Sequence, residues 1–173
     1  MISYKEHLKK INTFIFDYDG VLTNGVVILM DSGEPLRTAN VKDGYAIQLA
    51  AKKGYKIAII SGGRSKSMHR RFSALSVTDV FLGADNKMKI FENFIEKNNI
   101  DPEEVLYMGD DIPDFEVMKR VGVPTCPADA AEEIKGIARY ISHYNGGEGC
   151  VREIIEQVMK VQGKWMNEDA YEW

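Results

Sequence analysis

Phe14-Ile15-Phe16-Asp17-Tyr18-Asp19-Gly20-Val21-Leu22-Thr23 runs from three apolar residues into two carboxylates one residue apart. The apolar half reads as a buried strand, and the acids stand where that strand leaves a sheet. Ionised Asp is rarely buried without a partner, because desolvating it is costly. Two like charges this close disfavour each other's ionised form unless positive charge lies beside them. A structural protein gains little from that arrangement. A metal-assisted enzyme gains a ligand, a nucleophile and a proton carrier.

Outward from this stretch, short apolar runs alternate with amphipathic, helix-length segments, the pattern of βαβ units around a mostly parallel sheet in an α/β protein. The predicted strands are Thr13–Asp17, Lys56–Ser61, Val80–Gly83, Val105–Gly109, Val123–Cys126 and Tyr140–Ser142. The predicted helices are Gly44–Lys53, Lys66–Leu75, Lys87–Asn98, Ile112–Arg120, Ala130–Ile137 and Val151–Gln162. Residues 24–40 break the alternation: Val26-Val27-Ile28-Leu29-Met30, a turn through Asp31-Ser32-Gly33-Glu34, and Pro35-Leu36-Arg37-Thr38 read as a β-hairpin insertion, too short for a separate domain. Residues 1–163 are expected to form a single domain. Residues 164–173, with Trp165, Tyr171 and Trp173 among polar neighbours, read either as a frayed tail or as an arm that docks on something.

The chain has 173 residues, 45% of them hydrophobic and 28% charged, which suits one soluble domain with a full core. Its net charge is −4 with no basic run, which argues against a nucleic acid or an anionic membrane surface as partner. The first ten residues are mixed in charge and lack the apolar core of a signal peptide. No apolar run approaches the roughly 20 residues needed to span a bilayer. Cys126 and Cys150 show no metal spacing and read as reduced thiols, so a cytoplasmic location is expected.

Four groups of polar residues fall at predicted strand ends, where open α/β sheets bind ligands. They are Asp17/Asp19, Ser61-Gly62-Gly63, Lys87, and Gly109-Asp110-Asp111-Ile112-Pro113-Asp114. A hydroxyl beside backbone N–H groups at a turn makes an oxyanion or phosphate site. Each group also has a plainer reading: a loop for Ser61-Gly62-Gly63, a solvated lysine for Lys87, a capped helix start for the acids at 110–114. The conjunction of carboxylates, hydroxyl, lysine and carboxylates, each at a strand end, speaks for one site.

Asp17-x-Asp19-Gly20-Val21, Ser61-Gly62, Lys87 and Gly109-Asp110-Asp111-x-x-Asp114 resemble the four motifs of the haloacid dehalogenase superfamily, in the superfamily's order and over nearly the whole chain. The resemblance implies a Rossmann-like three-layer fold and a Mg²⁺-dependent phosphatase that works through an aspartyl-phosphate. On it, Asp17 is the nucleophile and Asp19 the acid that protonates the leaving alcohol and then takes a proton from water. Mg²⁺ is held by Asp17, the Asp19 carbonyl and Asp110, with Asp111 and Asp114 orienting its waters. Ser61 and the Gly62 N–H bind phosphoryl oxygens, and Lys87 offsets the charge between Asp17 and phosphate.

The superfamily's usual cap domain is missing, so specificity must come from another molecule or from a macromolecular substrate. Val21-Leu22-Thr23-Asn24-Gly25, Val41-Lys42-Asp43-Gly44, Arg70-Arg71 and Gly146-Gly147-Glu148-Gly149-Cys150-Val151-Arg152-Glu153 resemble one capless branch, the 3-deoxy-D-manno-octulosonate 8-phosphate phosphatases of lipopolysaccharide sugar synthesis. That implies an eight-carbon sugar acid phosphate as substrate and a homotetramer built through the hairpins. Lys42, Arg64, Arg70, Arg71 and Arg152 are the candidates for the substrate carboxylate; Arg71 and Arg152 read equally as members of structural ion pairs. Gly63 stands where that branch often has Arg, and a neighbouring branch acting on a nine-carbon ulosonate phosphate favours an acid there. The nine-carbon phosphatase is therefore the nearest alternative. A receiver-type phospho-acceptor domain places its acids in a different order, and a non-catalytic module would lack a motif residue. His7, His69 and His143 show no ligand spacing.

Overall fold

Alternate residues of the first strand, β1 (Thr13–Phe16), face opposite ways. Phe14 and Phe16 pack into one apolar layer and Ile15 into another. The strand is hydrophobic throughout because both faces of its sheet are covered, as parallel sheets require. The structure, a computed structural model, describes residues 3–31 and 33–171; Ser32 of the hairpin turn and Trp173 of the tail, with Met1, Ile2 and Glu172, lie outside the described residues.

The sheet continues through β2 (Lys56–Ser61), β3 (Asp79–Leu82), β4 (Val105–Met108), β5 (Val123–Cys126) and β6 (Tyr140–Ile141). Its strand order is β3-β2-β1-β4-β5-β6, with every pairing parallel. Helices α1 (Tyr4–Leu8), α2 (Val41–Lys52), α3 (Lys66–Ala74) and α7 (Cys150–Val161) contribute to one apolar layer. Helices α4 (Lys87–Asn98), α5 (Phe115–Met118) and α6 (Glu132–Lys135) contribute to the other. This is the expected three-layer α/β fold. The strand order reverses at β1, so the crevice beyond its C-terminal end is the topological switch point where such sheets bind ligands.

Local capping places the site's helices. Asn40, Ser65 and Asn86 each accept a backbone N–H from the first turn of the helix that follows. The Asn86 cap makes Lys87 the first residue of α4, at the edge of the crevice. The expected helix over 112–120 is instead a 3₁₀ turn, Ile112–Asp114, leading into α5, because Pro113 enters at the turn and Asp111 caps it.

Residues 24–40 turn back on themselves, but the expected strands reduce to one antiparallel bridge, Ile28 with Leu36, whose two N–H···O bonds are 3.1 and 3.0 Å. Gly33, at φ +83°, closes the turn through its N–H to the Met30 carbonyl. Val26, Ile28, Leu29 and Leu36 stay more than half exposed, Leu29 at 84%. The hairpin is tied to the domain at its second arm: Glu34 accepts a hydrogen bond from Ser65, and Arg37 pairs with Asp19.

The described part of the tail is not frayed. Trp165 stands edge-on to Tyr45, and the Tyr45 hydroxyl donates to the Ala170 carbonyl. The Gly-rich segment is likewise packed: a Cβ on Gly146 would lie 2.0 Å from the Gly20 carbonyl oxygen, and the Gly147 N–H donates to the Val21 carbonyl.

Candidate active site

Asp17 follows β1 directly, and its N–H still bonds the Met108 carbonyl of β4. That pins the backbone at the switch point and turns the carboxylate into the crevice. Its Oδ1 accepts the Tyr18 N–H at 2.6 Å, and its Oδ2 lies 2.7 Å from Lys87 Nζ. Lys87 also donates to Asp114 Oδ1 at 2.7 Å. Asp114 is fully buried; it accepts the Tyr107 hydroxyl on the same oxygen at 2.5 Å and the Asp110 N–H on the other at 3.2 Å. One ammonium thus stands between two buried acids, with Asp110 alongside.

One carboxylate oxygen from each of Asp17, Asp110 and Asp114 lies within 4.8 Å of the others. Three acids around one lysine leave an excess of negative charge in a desolvated place. Burial, and then the Asp114 charge, push the Asp17 carboxyl well above its usual range against the pull of Lys87. The same two causes raise Asp110 to about 7. Burial pulls Lys87 down, but the Asp17 and Asp114 carboxylates more than offset it and leave it raised. Asp110 Oδ1 is buried with no hydrogen-bond partner among the described residues. Gly20, at φ +87°, makes the cradle: a Cβ there would lie 2.0 Å from Asp110 Oδ2. An orphaned carboxylate oxygen in a cluster of hard oxygen donors fits a divalent cation such as Mg²⁺.

Asp114, not Asp111, completes this cluster. Asp111 is exposed, and its side chain caps the 3₁₀ turn through the Ile112 N–H. Asp114 was expected only to orient waters; here it anchors Lys87. Tyr107, which reads as a core residue in the sequence, supplies a buried hydroxyl to the same acid.

Asp19 lies beside the cluster, partly exposed, and its carboxylate is held side-on by Arg37: Nε to Oδ1 at 2.6 Å and Nη2 to Oδ2 at 3.0 Å. Arg37 had no predicted role. Its only sequence signal is a lone cation at the foot of the hairpin.

At the turn after β2, beside Asp19 and Arg37, Ser61 Oγ accepts the Gly63 N–H at 3.1 Å, which leaves the hydroxyl hydrogen to donate elsewhere. Gly62 is exposed at the turn. Arg64 lies across Gly83, whose Cβ would sit 2.3 Å from its Nε. Arg71 lies against Gly44, donates to the Asn40 carbonyl at 3.0 Å, and acts on the Tyr18 hydroxyl together with Asp19 and Arg37. Arg70 is exposed on α3 and lines a shallow cleft with His69 and Thr78. Lys42 and Arg152 line a separate cleft with Tyr144, Glu148 and Lys160. There Arg152 lies 5.6 Å from the Tyr45 ring and 5.3 Å from that of Trp165, and pairs with Glu156. The structure therefore brings Asp17, Asp110, Asp114 and Lys87 together with Asp19 and Arg37 beside them, and places Lys42 and Arg152 at a separate cleft, with Arg152 packed against Tyr45 and Trp165.

The family model of haloacid dehalogenase-like hydrolases matches residues 40–128, a span that includes Ser61, Lys87 and Asp110. The 3-deoxy-D-manno-octulosonate 8-phosphate phosphatase of Salmonella typhi is 38% identical over 156 residues, covering 90% of this chain and 83% of that protein. The crystal structure of the Yersinia pestis enzyme of that name superposes with a TM-score of 0.90 at 32% identity, covering 92% of this chain and 86% of that one. The Moraxella catarrhalis 3-deoxy-D-manno-octulosonate 8-phosphate phosphatase, solved in complex with magnesium ion, phosphate ion and a KDO molecule, also gives a TM-score of 0.90, at 29% identity over 93% of this chain and 92% of that one. With sequence and fold agreeing over nine-tenths of its length, the chain belongs to the 3-deoxy-D-manno-octulosonate 8-phosphate phosphatase family of haloacid dehalogenase-like hydrolases.

Proposed function

We propose that this chain is a Mg²⁺-dependent phosphatase that removes phosphate from 3-deoxy-D-manno-octulosonate 8-phosphate in lipopolysaccharide sugar synthesis. The observation that carries the chemistry is the buried Asp17–Lys87–Asp114 arrangement with Asp19 two residues from the nucleophile. The family carries the substrate.

Asp17 attacks phosphorus, and the bond from phosphorus to the sugar oxygen breaks as Asp19 delivers a proton to that oxygen. Asp19 then takes a proton from water. The water oxygen bonds to phosphorus, the aspartyl ester bond breaks, and Asp17 returns as a carboxylate. Lys87 holds Asp17 in place and offsets charge as the phosphoryl group arrives. Ser61 donates its hydroxyl to a phosphoryl oxygen, and the Gly62 N–H supplies a second donor. Asp17 and Asp110 would hold Mg²⁺, with Asp114 at hand and the Asp19 carbonyl as a further ligand; when bound, the ion screens one anion from the other. Arg71, beside Tyr18, is the best placed of the basic residues to meet the substrate carboxylate, with Arg64 next to the Ser61 turn.

The apolar hairpin supports assembly into a homotetramer, since Val26, Ile28, Leu29 and Leu36 leave a run of apolar side chains more than half exposed. Two buried free thiols, Cys126 and Cys150, support a reducing cytoplasm as its compartment. No helix among the described residues is long and apolar enough to cross a membrane.

Phosphate release from the eight-carbon substrate, a nine-carbon ulosonate phosphate and generic monoesters, measured side by side with Mg²⁺, tests the reading. A clear preference for the eight-carbon ester is expected. Equal low rates on all three would overturn the substrate, and no Mg²⁺-dependent release from any would overturn the activity.

A further inference from the structure

We infer that Arg37 is a substrate-binding residue that exchanges partners: it releases the Asp19 carboxylate to take an anionic oxygen of the phosphate ester. This deepens the proposed function and rests on its placing of phosphate between Asp17 and Ser61.

Three observations converge on it. The first is an unused donor. The side-on pair with Asp19 engages Nε and Nη2, while Nη1 is buried and has no hydrogen-bond partner among the described residues. The Arg37 side chain is only 10% exposed. A guanidinium held out of water with one nitrogen unsatisfied is poised for an acceptor, and the fork of Arg matches phosphate as well as carboxylate.

The second is its place. The position of a Cβ on Gly63 would be 2.9 Å from Asp19 Oδ2, 3.2 Å from Arg37 Nη2 and 3.3 Å from Ser61 Oγ. The guanidinium therefore lies over the Ser61 turn, where the glycine at 63 leaves it room. It is carried there by a segment with a single bridge, anchored through Glu34 to Ser65 at 2.8 Å, so it moves without disturbing the core.

The third is the chemistry. Both oxygens of Asp19 accept from Arg37, and this side-on pairing holds the carboxyl group in one orientation instead of leaving it free to turn to a leaving oxygen. Something must draw the guanidinium away as substrate arrives, and the incoming phosphoryl group is the anion nearest to it. In the empty site Arg37 balances Asp19. In the filled site it balances phosphate.

A double-mutant cycle read by calorimetry of inorganic phosphate binding to the Mg²⁺-saturated protein tests this. Arg37→Ala is expected to weaken phosphate by about tenfold or more. Asp19→Asn is expected to tighten it, and by a larger factor with Arg37 present than in the Arg37→Ala background, because it frees Arg37 as well as removing a repelling charge. A guanidinium that never leaves Asp19 would screen it, so an Asp19→Asn factor equal or smaller with Arg37 present overturns the exchange. So does an unchanged affinity in Arg37→Ala. Wild-type protein that fails to bind phosphate at all overturns the functional reading itself, which separates the two failures. Arg37→Lys repeats the cycle should Arg37→Ala not fold, with a smaller loss and the same sign of coupling expected.

Discussion

Lys87 Nζ lies 2.7 Å from Asp17 Oδ2, with both side chains at least nine-tenths buried, so the lysine is the internal counter-charge of the carboxylate proposed as nucleophile. Lys87→Met keeps most of the stem and removes the charge. Asp17 and Asp114 are then left without a cation between them, and phosphate meets an uncompensated carboxylate. Turnover is expected to fall about 100-fold or more. The metal-free protein is expected to lose about 3–5 kcal/mol, the usual result of stripping one partner from a buried pair. Steady-state phosphate release and urea unfolding with chelator check both. An unchanged rate would remove Lys87 from the chemistry.

The raised acids set the pH dependence of stability. Asp110 titrates near 7 in the folded protein, through burial and then Asp114, against about 3.9 unfolded. Between those values the unfolded chain gives up a proton that the folded one retains, so stability falls as pH rises through the window and levels off above it. Asp17 acts in the same direction. A cation bound to the ionised carboxylates reverses this. The metal-free melting temperature is expected to drop between pH 5 and pH 8, and the Mg²⁺-induced rise to be larger at pH 8. Asp43, raised by burial to about 6, adds a part that Mg²⁺ leaves alone and Asp43→Asn removes. Melts with Mg²⁺ and with chelator decide it, and a Mg²⁺ effect larger at pH 5 would argue against these ligands.

Residues at strand ends were legible because two short-range signals agreed there. An apolar run fixes the strand, and the first polar residue after it must lie at the sheet's edge, as Asp17, Ser61 and Asp110 do. Lys87 was legible for a related reason, since Asn86 is a good cap and starts the helix at a known place. The choice between Asp111 and Asp114 depends on a 3₁₀ turn forced by Pro113, which an α-helical reading of 112–120 obscures. Tyr107 alternates like any core residue of β4, and nothing local says that its hydroxyl meets Asp114. Arg37 and Arg152 are the clearest limits. Arg37 reaches Asp19 from a segment docked through Glu34 on Ser65, beside Gly63, while Arg152 is packed by Tyr45 of α2 and by Trp165 of the tail. Both placements are set by tertiary docking.

The hairpin's exposed strip predicts an assembly that a single charge weakens. Leu29, 84% exposed in the lone chain, is expected to be buried between copies, so Leu29→Glu places a charge in an apolar contact. Sedimentation velocity is expected to show the wild type as a tetramer and the variant shifted towards monomer, with little change in the monomer's own fold by circular dichroism. A wild type that sediments as a monomer at all concentrations would remove the role given to the strip.

The tail's docking predicts a kinetic effect that exceeds its effect on stability. Trp165 stands edge-on to Tyr45 at 6.3 Å and covers Arg152, and Tyr45 bonds the Ala170 carbonyl. An edge-on aromatic pair with one cation over it contributes about 1–2 kcal/mol, so truncation after Gly163 is expected to lower the melting temperature only slightly. Tyr45, however, sits on α2 one residue beyond Gly44, against which Arg71 is packed, and Asp43 accepts the Arg152 N–H at 2.8 Å. Losing the tail removes packing from α2, the helix whose Gly44 backs Arg71, and so loosens the support of Arg71 and of the substrate end it is proposed to meet. The truncated protein is expected to show a KM for the eight-carbon ester raised several-fold, with a smaller change for a small monoester that lacks the carboxylate. Unchanged kinetics on both esters would reduce the tail to packing, and an equal loss on both would place its effect at the phosphate instead of at Arg71.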